Sequence, residues 1–252
     1  MNTIDNSQRT AARIAGVTGL LAVAIVVFGN YVLLSPLIVP RDAAETARNI
    51  IGHETQARLA LVCFLLYSAN VVVLLAALYV VLKPVDRMLA LIGALFRLVF
   101  AVLWLLATLN LLGALRLLGT APYLQAFQPD HVQALARLQI AANFDDYYVG
   151  LPFFGLAATI CAYLWLRSGY IPKGLAIFGV IASTWCVICA FIFLVFPNFN
   201  KVVNDYIFDT PMAIFELVLS VWLLFKGLQP ARTPAESDRV TNLHHHTFPI
   251  FL

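Results

Sequence analysis

Two residues of opposite charge, Arg97 and Glu216, lie deep inside long apolar stretches of the chain. Arg97 follows the basic residue Arg87 by ten positions, and Glu216 precedes the basic residue Lys226 by ten positions. If both stretches are helices, a rise of about 1.5 Å per residue puts both charges about 15 Å from one boundary of a membrane. We therefore expect Arg97 and Glu216 to face the interior of a helix bundle and to approach each other, directly or through water.

The sequence supports two interpretations of this pair equally. A charge at the bilayer centre costs roughly 2.5–3.5 kcal/mol on insertion scales, so a retained charge has either a partner or a task. One interpretation is a buried ion pair that sets the register of two helices, and the other is part of a polar cavity or a proton path. Two further outcomes stay open, in which Arg97 extends towards the membrane surface or Glu216 carries a proton.

Further polar residues are candidates for a site. Asn70 lies about 20 Å from the same boundary, where it either joins the interior pair in one polar network or forms an ordinary hydrogen bond between helices, the interpretation we favour. A second cluster, at the outer boundary, comprises Arg58, Asn143, Asp145 and Asp146. Arg58 with either aspartate could close the mouth of a bundle, although acidic residues also favour a solvated helix start.

The composition identifies the solvent that surrounds these residues. The chain has 252 residues, of which 62% are hydrophobic and 12% are charged. Soluble domains have roughly 45–50% apolar and about 25% charged residues. The difference excludes intrinsic disorder and argues against a soluble enzyme, and a net charge of +3 provides no basic surface for nucleic acid. We predict an all-α, polytopic protein of the cell membrane whose main partner is the lipid bilayer.

Six apolar stretches are long enough to cross a bilayer as helices, which takes about 20 residues. They cover residues 15–38, 59–82, 88–115, 147–166, 174–196 and 206–225. Asp209 and Pro211 interrupt the start of the last stretch, which could begin as late as Pro211. The predicted domain organisation is therefore an N-terminal tail (1–13), a six-helix membrane domain (14–227) and a polar, disordered C-terminal tail (228–252) that contains His244, His245 and His246.

The distribution of Lys and Arg predicts the orientation. The tails and the two short loops carry nine of these residues: Arg9, Arg13, Lys83, Arg87, Arg167, Lys173, Lys226, Arg232 and Arg239. The longer loops at the other end carry six: Arg41, Arg48, Arg58, Arg116, Arg137 and Lys201. The positive-inside rule then puts both termini in the cytoplasm.

The longer, outer loops show helical signals of their own. Asp42 and Glu45 form a capping pattern for a short helix that ends near Ile51 and rests on the membrane surface with Ala44, Ala47 and Ile51 on one face. Pro129 and Asp130 begin a second helix that continues towards the fourth span, with or without a break.

No catalytic residue, metal site or cofactor site is predicted. All four cysteines lie in the apolar spans, where burial suppresses thiol reactivity, so that even Cys186 and Cys189, at a redox-like spacing, are expected to serve packing. The phosphate-binding, dinucleotide-binding, zinc-protease and serine-hydrolase motifs are all absent from the sequence.

Several short motifs follow one another along the chain: TARNI at 46–50, FRL at 96–98, FFGL at 153–156, RSGYIP at 167–172, and Glu216 followed by WLLFKG at 222–227. In this order and spacing the chain resembles a bacterial family of six-span membrane proteins catalogued as domain of unknown function 4386, from about Arg13 to Gly227. The resemblance implies the six-helix architecture and no established activity.

Three classes of function are consistent with these residues. A binding or transport protein would hold a small anionic or amphipathic molecule in a central pocket around Arg97, Glu216 and Asn70. A non-catalytic membrane component would contact a partner through its outer loops. The alternative is an intramembrane enzyme that acts on a lipid or isoprenoid, with Asp145, Asp146 and Glu216 as its acids. We rank this alternative behind the other two classes. Besides lipid, the expected partner of this protein is a second copy of the chain or another membrane protein.

Overall fold

The computed structural model describes residues 4–39, 42–196, 198–199, 203 and 205–229. Within these residues the secondary structure is helical and contains no β-strand, which confirms the predicted all-α class. The C-terminal tail beyond residue 229, with its three consecutive histidines, lies outside the described residues.

The described part of the chain contains seven α-helices. They are α1 (Asn6–Val27), α2 (Ala43–Gly52), α3 (Glu54–Leu82), α4 (Arg87–Leu117), α5 (Pro129–Ser168), α6 (Lys173–Val195) and α7 (Asp205–Phe225). Six of these seven helices, all except α2, are long and apolar enough to cross a membrane, which confirms the six predicted spans.

Two of the helices extend well beyond their apolar stretches. α1 begins at Asn6, where the Asp5 side chain accepts a hydrogen bond from the backbone N–H of Gln8 at 2.6 Å and forms a capping box. α5 runs without a break from Pro129 to Ser168, so the helix predicted in the outer loop and the fourth span are one element. Apolar stretches mark only the lipid-exposed part of a helix, whereas caps decide where it ends.

The six long helices form a closed ring in chain order. α1 packs against α3, α3 against α4, α4 against α5, α5 against α6, α6 against α7, and α7 packs back against α1. α4 and α7 therefore lie across the ring from each other. Outward-facing side chains such as Leu65, Leu109 and Ile181 are apolar and exposed, as expected for a surface that faces lipid.

The two ends of the ring differ in the length of their connections. At one end, the short-loop end, residues 83–86 and 169–172 join consecutive helices. At the other, the long-loop end, the connections are residues 38–53, which include α2, residues 118–128 and residues 196–204. We refer to the corresponding parts of the bundle as the short-loop half and the long-loop half.

Local sequence explains the tight turns of the short-loop end. Asp86 caps α4, because its carboxylate accepts hydrogen bonds from the backbone N–H groups of Met88 and Leu89, each at 3.1 Å. α5 ends at Gly169, which adopts the left-handed conformation (φ +66°) that favours glycine. Pro172 then precedes the first turn of α6, so the chain reverses within four residues.

α2 is a short helix of the long-loop end, as predicted, and one of its faces packs against the bundle. Asp42 caps the helix by accepting a hydrogen bond from the Glu45 backbone N–H at 2.8 Å. Ala47 and Ile50 are buried, and α2 packs on α5, whereas Ile51 is 58% exposed. Of the predicted face, Ala47 is therefore buried against the protein and Ile51 is exposed, and the contact of this helix with a membrane surface stays a prediction.

Candidate functional site

The side chains of Arg97 on α4 and Glu216 on α7 meet in the centre of the ring. Arg97 Nη2 lies 2.5 Å from Glu216 Oε1. Because α4 and α7 face each other across the ring, this contact bridges its interior. The Arg97 side chain is 4% exposed and the Glu216 side chain is 20% exposed, so the pair is dry on one side and open on the other.

Arg97 is enclosed by protein on its side of the pair. The centre of its guanidinium lies 5.0 Å from the centroid of the Phe154 ring, close enough for a cation–π interaction. Its Nε has no hydrogen-bond partner among the described residues. Glu216 is therefore the main source of compensation for the charge of Arg97.

Glu216 borders a cavity of about 390 Å³ that occupies the centre of the long-loop half. Residues of α1, α3, α4, α5 and α7 line this cavity, and α7 contributes Asp209, Ala213 and Glu216, which lie on one face of the helix. Glu216 forms the floor of the cavity, at the junction with the short-loop half. Asn30 and Tyr31 lie at the opposite end of its wall, close to the long-loop end.

Aromatic side chains form much of the cavity wall. The ring centroids of Tyr67 and Trp104 are 4.6 Å apart, and those of Trp104 and Tyr147 are 6.1 Å apart. Phe100 and Phe154 are stacked with centroids 4.7 Å apart. All five side chains line the cavity, so their faces and edges define the surface that a bound molecule would meet.

A second carboxylate lies in this wall. Asp209 is two helical turns before Glu216 on α7, and its Oδ2 accepts a hydrogen bond from the Tyr147 hydroxyl at 2.6 Å. This bond joins α7 to α5 next to the cavity. The wall therefore combines two carboxylates with a large aromatic surface.

The first span changes its helical geometry beside the cavity. After Val27 the chain forms a π-helix, Phe28–Leu34, and the Ser35 backbone N–H donates to the carbonyl of Asn30, five residues earlier. Asn30, Tyr31 and Ser35 of this segment line the cavity. π-Helical segments are frequent at functional sites, since they widen the helix locally and redirect side chains.

Asn70 does not take part in the interior network in which the sequence analysis included it. Its Nδ2 donates a hydrogen bond to the Thr18 carbonyl at 2.7 Å, which connects α3 to α1. Asn70 is also absent from the lining of the cavity. The interhelical hydrogen bond, the alternative that we favoured, is the one that forms, because the carbonyl of the neighbouring helix lies within direct reach of the amide.

The predicted outer-mouth cluster is not brought together. Arg58 pairs with Glu54, one turn earlier on α3, at 2.6 Å. Asp146 accepts a hydrogen bond from Asn110 at 2.7 Å, and Asp145 is exposed. The expectation that Arg58 bridges to these aspartates is corrected, because an acidic residue four positions away on the same helix is always within reach.

Asn143, the fourth member of that cluster, does border the cavity. Its Nδ2 donates to the Ala107 carbonyl at 2.8 Å, a buried contact between α5 and α4. It also belongs to the lining of the cavity. Asn143 therefore has a place in the wall, although not in the arrangement that was predicted.

The sequence analysis missed Asp209, Tyr147, Trp104 and Tyr67. A signal for Asp209 was present, since it precedes Glu216 by seven residues and therefore shares its helix face. From the sequence alone, Asp209 is an interruption of the sixth span. The aromatic residues give no such signal, because apolar helices of any membrane protein contain them.

The described residues offer no site for a metal ion. No group of three or more His, Cys, Asp or Glu side chains comes together in the part of the chain that the structure covers. The four cysteines are free, and three of them are buried. The cavity itself is lined by aromatic, aliphatic, hydroxyl, amide and carboxylate groups.

Comparison with known proteins identifies the family. The model of the family described as Domain of unknown function (DUF4386) matches residues 14–227. No protein of the curated set and no solved structure matches the chain. Since the family match covers most of the chain, the protein belongs to this family and, with its six apolar helices, is a multi-pass membrane protein.

Proposed function

We propose that this protein is a non-catalytic membrane component that binds a small molecule in the cavity of the long-loop half, as a receptor or carrier in the cell membrane. The observation that supports the proposal is the cavity of about 390 Å³ with Glu216 on its floor. Small-molecule sites commonly have volumes of roughly 300–1,000 Å³, apolar and aromatic walls and a few polar groups. The cavity has each of these properties.

The exposure of Glu216 favours this proposal over a purely structural ion pair. A pair that only sets helix register has no need of open space on either side. Here the Arg97 side chain is 4% exposed, whereas Glu216 is 20% exposed and lines the cavity. The pair thus holds a carboxylate at the bottom of a space that a ligand can enter, and Arg97 anchors that carboxylate from behind.

Filling the cavity tests the proposal. Ala213 lines the cavity, and we expect Ala213→Phe to occupy it and to abolish ligand binding. The neighbouring residue Ile214 is 47% exposed and lies outside the lining, so Ile214→Phe is the matched control. A panel of small cationic, neutral and anionic amphiphiles is screened by thermal shift on the purified protein. Compounds that bind the folded state raise its melting temperature.

The expected result is a set of stabilising compounds for the wild type and for Ile214→Phe that has no effect on Ala213→Phe. Both variants are first compared without compounds, so that a folding defect is recognised. If compounds stabilise Ala213→Phe as strongly as the wild type, binding occurs elsewhere and the proposal fails.

We further propose that the short-loop end faces the cytoplasm. The described Lys and Arg residues that are concentrated at this end support the orientation under the positive-inside rule. In a cysteine-free background, Asp130→Cys at the long-loop end should react with a membrane-impermeant maleimide on intact cells, and Gly174→Cys at the short-loop end should react only after lysis. The opposite labelling pattern would reverse the orientation.

A further inference from the structure

We infer that the ligand of the cavity is an organic cation with an apolar or aromatic body, held between the carboxylates of Asp209 and Glu216 and the aromatic wall of Tyr67, Trp104 and Tyr147. This inference rests on the function proposed above. It replaces the expectation of an anionic ligand, which depended on Arg97 reaching the pocket.

The charged side chains among the described residues of the wall all have one sign. Asp209 and Glu216 line the cavity, and the described lining includes no Lys, Arg or His. Arg97 is not part of the lining. It lies beneath Glu216 and 5.0 Å from the centroid of Phe154, whose ring does line the cavity. An anion in the cavity would therefore meet carboxylates and ring faces before it reached a positive charge.

Each of the two carboxylates is oriented by a partner: Arg97 lies behind Glu216, and Tyr147 of the cavity wall contacts Asp209. Arg97 contacts Oε1 of Glu216, and among the described residues no hydrogen bond reaches Oε2. The Tyr147 hydroxyl donates to Oδ2 of Asp209 at 2.6 Å. Groups that are already oriented bind a ligand with a smaller loss of conformational freedom.

The aromatic wall complements a cation. The face of an aromatic ring carries negative potential, and a cation within about 6 Å of its centroid is attracted to it, most strongly by Trp. Tyr67, Trp104 and Tyr147 form a continuous group, with the Trp104 centroid 4.6 Å from that of Tyr67 and 6.1 Å from that of Tyr147. Recognition of quaternary ammonium groups by aromatic cages uses the same arrangement.

The cavity suits an organic cation better than a metal ion. Hard cations such as Ca²⁺ require six to eight oxygen ligands. The described residues contain no cluster of three potential metal ligands, and the wall is largely apolar. Much of the ligand surface must therefore be apolar as well.

Three probes of similar size test the inference on the purified full-length protein in lipid nanodiscs. They are the cation (3-hydroxyphenyl)trimethylammonium, its neutral carbon isostere 3-tert-butylphenol, and the anion 3-hydroxybenzoate. Equilibrium dialysis against empty nanodiscs corrects for partition into lipid. We expect the cation to bind about tenfold more tightly than its isostere, and the anion to bind more weakly than both.

Asp209→Asn provides the second part of the test. We expect it to weaken binding of the cation about tenfold and to leave binding of the neutral isostere unchanged, because only the charge of the wall is altered. Asp130→Asn, which neutralises an exposed carboxylate at the start of α5, should change neither affinity. The comparison of the three probes on the wild type needs no variant, so the test holds even if Asp209→Asn fails to fold.

The outcomes separate the two proposals. If the cation and the neutral isostere bind equally to the wild type, and Ala213→Phe abolishes both, the inference of a cation is overturned while the binding function stands. Tighter binding of the anion overturns the inference in the same way. If no probe binds in a manner that Ala213→Phe abolishes, both the inference and the proposed function are overturned.

Discussion

The short-loop half and the long-loop half are built from the same six helices but are packed differently. In the short-loop half, the buried core combines alanines such as Ala12 and Ala15 with large side chains such as Trp165 and Phe215, and the cavity beneath the ion pair measures only about 20 Å³. In the long-loop half the buried core includes Phe100 and Trp104, and the central cavity measures about 390 Å³. The two halves therefore differ in the space that remains between the helices.

The difference shows which half is filled by side chains and which half encloses space for a ligand. The Arg97–Glu216 pair lies at the boundary between the close-packed short-loop half and the long-loop half, where the cavity begins.

The ion pair at the junction should respond asymmetrically to mutation. Glu216→Gln leaves the buried charge of Arg97 uncompensated and should lower the free energy of unfolding by about 3–5 kcal/mol. Arg97→Met should cost less, because Glu216 borders the cavity, where its charge can be hydrated. Denaturation by SDS in mixed micelles measures both values.

The double variant, Arg97→Met with Glu216→Gln, removes both charges and should recover much of the loss caused by Glu216→Gln alone. Equal costs for the two single variants would mean that both sides of the pair are equally dry, and the contrast between the two halves would fail at its boundary.

A single added methyl group should destabilise the close-packed half. A Cβ at Gly16 would lie 2.8 Å from the Leu224 backbone nitrogen and 2.9 Å from the Ser220 carbonyl oxygen, so α1 and α7 would have to separate. We expect Gly16→Ala to cost about 1–3 kcal/mol in the same assay.

Gly174→Ala is the matched control for this substitution, because nothing lies within 4 Å of a Cβ at Gly174 in the first turn of α6. It should be neutral or slightly stabilising, as alanine favours a helix over glycine. A cost for Gly16→Ala no larger than that of the control would show that the short-loop half tolerates added volume, contrary to its close packing.

The hydrogen bond from Asn70 to the Thr18 carbonyl should act independently of the ion pair. Asn70→Leu removes it and should cost about 1 kcal/mol. Thr18→Val keeps the backbone carbonyl and should spare the bond. The effects of Asn70→Leu and Arg97→Met should add, since the two sites share no partner in the described structure. Strong non-additivity would restore Asn70 to the interior network.

The smallest effect is expected at the exposed short-loop end. The backbone N–H of Leu89 and, after it, the side chain of Arg167 hold the pKa of Asp86 below its usual range. A folded-state pKa below the unfolded value means that the stabilising contribution is present at neutral pH and is lost as the pH falls through the folded-state pKa.

Melting temperatures of the wild type and of Asp86→Asn, measured from neutral pH to about pH 3, check this prediction. The wild type should be slightly more stable at neutral pH, and the difference should shrink in acid. A difference that grows as the pH falls would contradict the assigned direction of the pKa shift.

Sequence reasoning succeeded where the physical cause is local or depends on the bilayer. Apolar stretches predicted the six spans, and equal distances from basic residues predicted that Arg97 and Glu216 meet. It failed for Arg58, whose partner is Glu54, and for the wall of the cavity. Those contacts depend on how the helices are rotated and spaced.

The amino-acid sequence was sufficient to determine that lipid surrounds the helices, how many spans there are and how deep the interior charges lie. Hydrophobicity and helical rise depend only on the order of residues along each stretch. Only the tertiary structure decided that Glu216 opens on a cavity while Arg97 is enclosed, that Asp209 and the aromatic residues share its wall, and that Asn70 lies apart. Empty space between helices is a property of their mutual packing, and no stretch of sequence contains it.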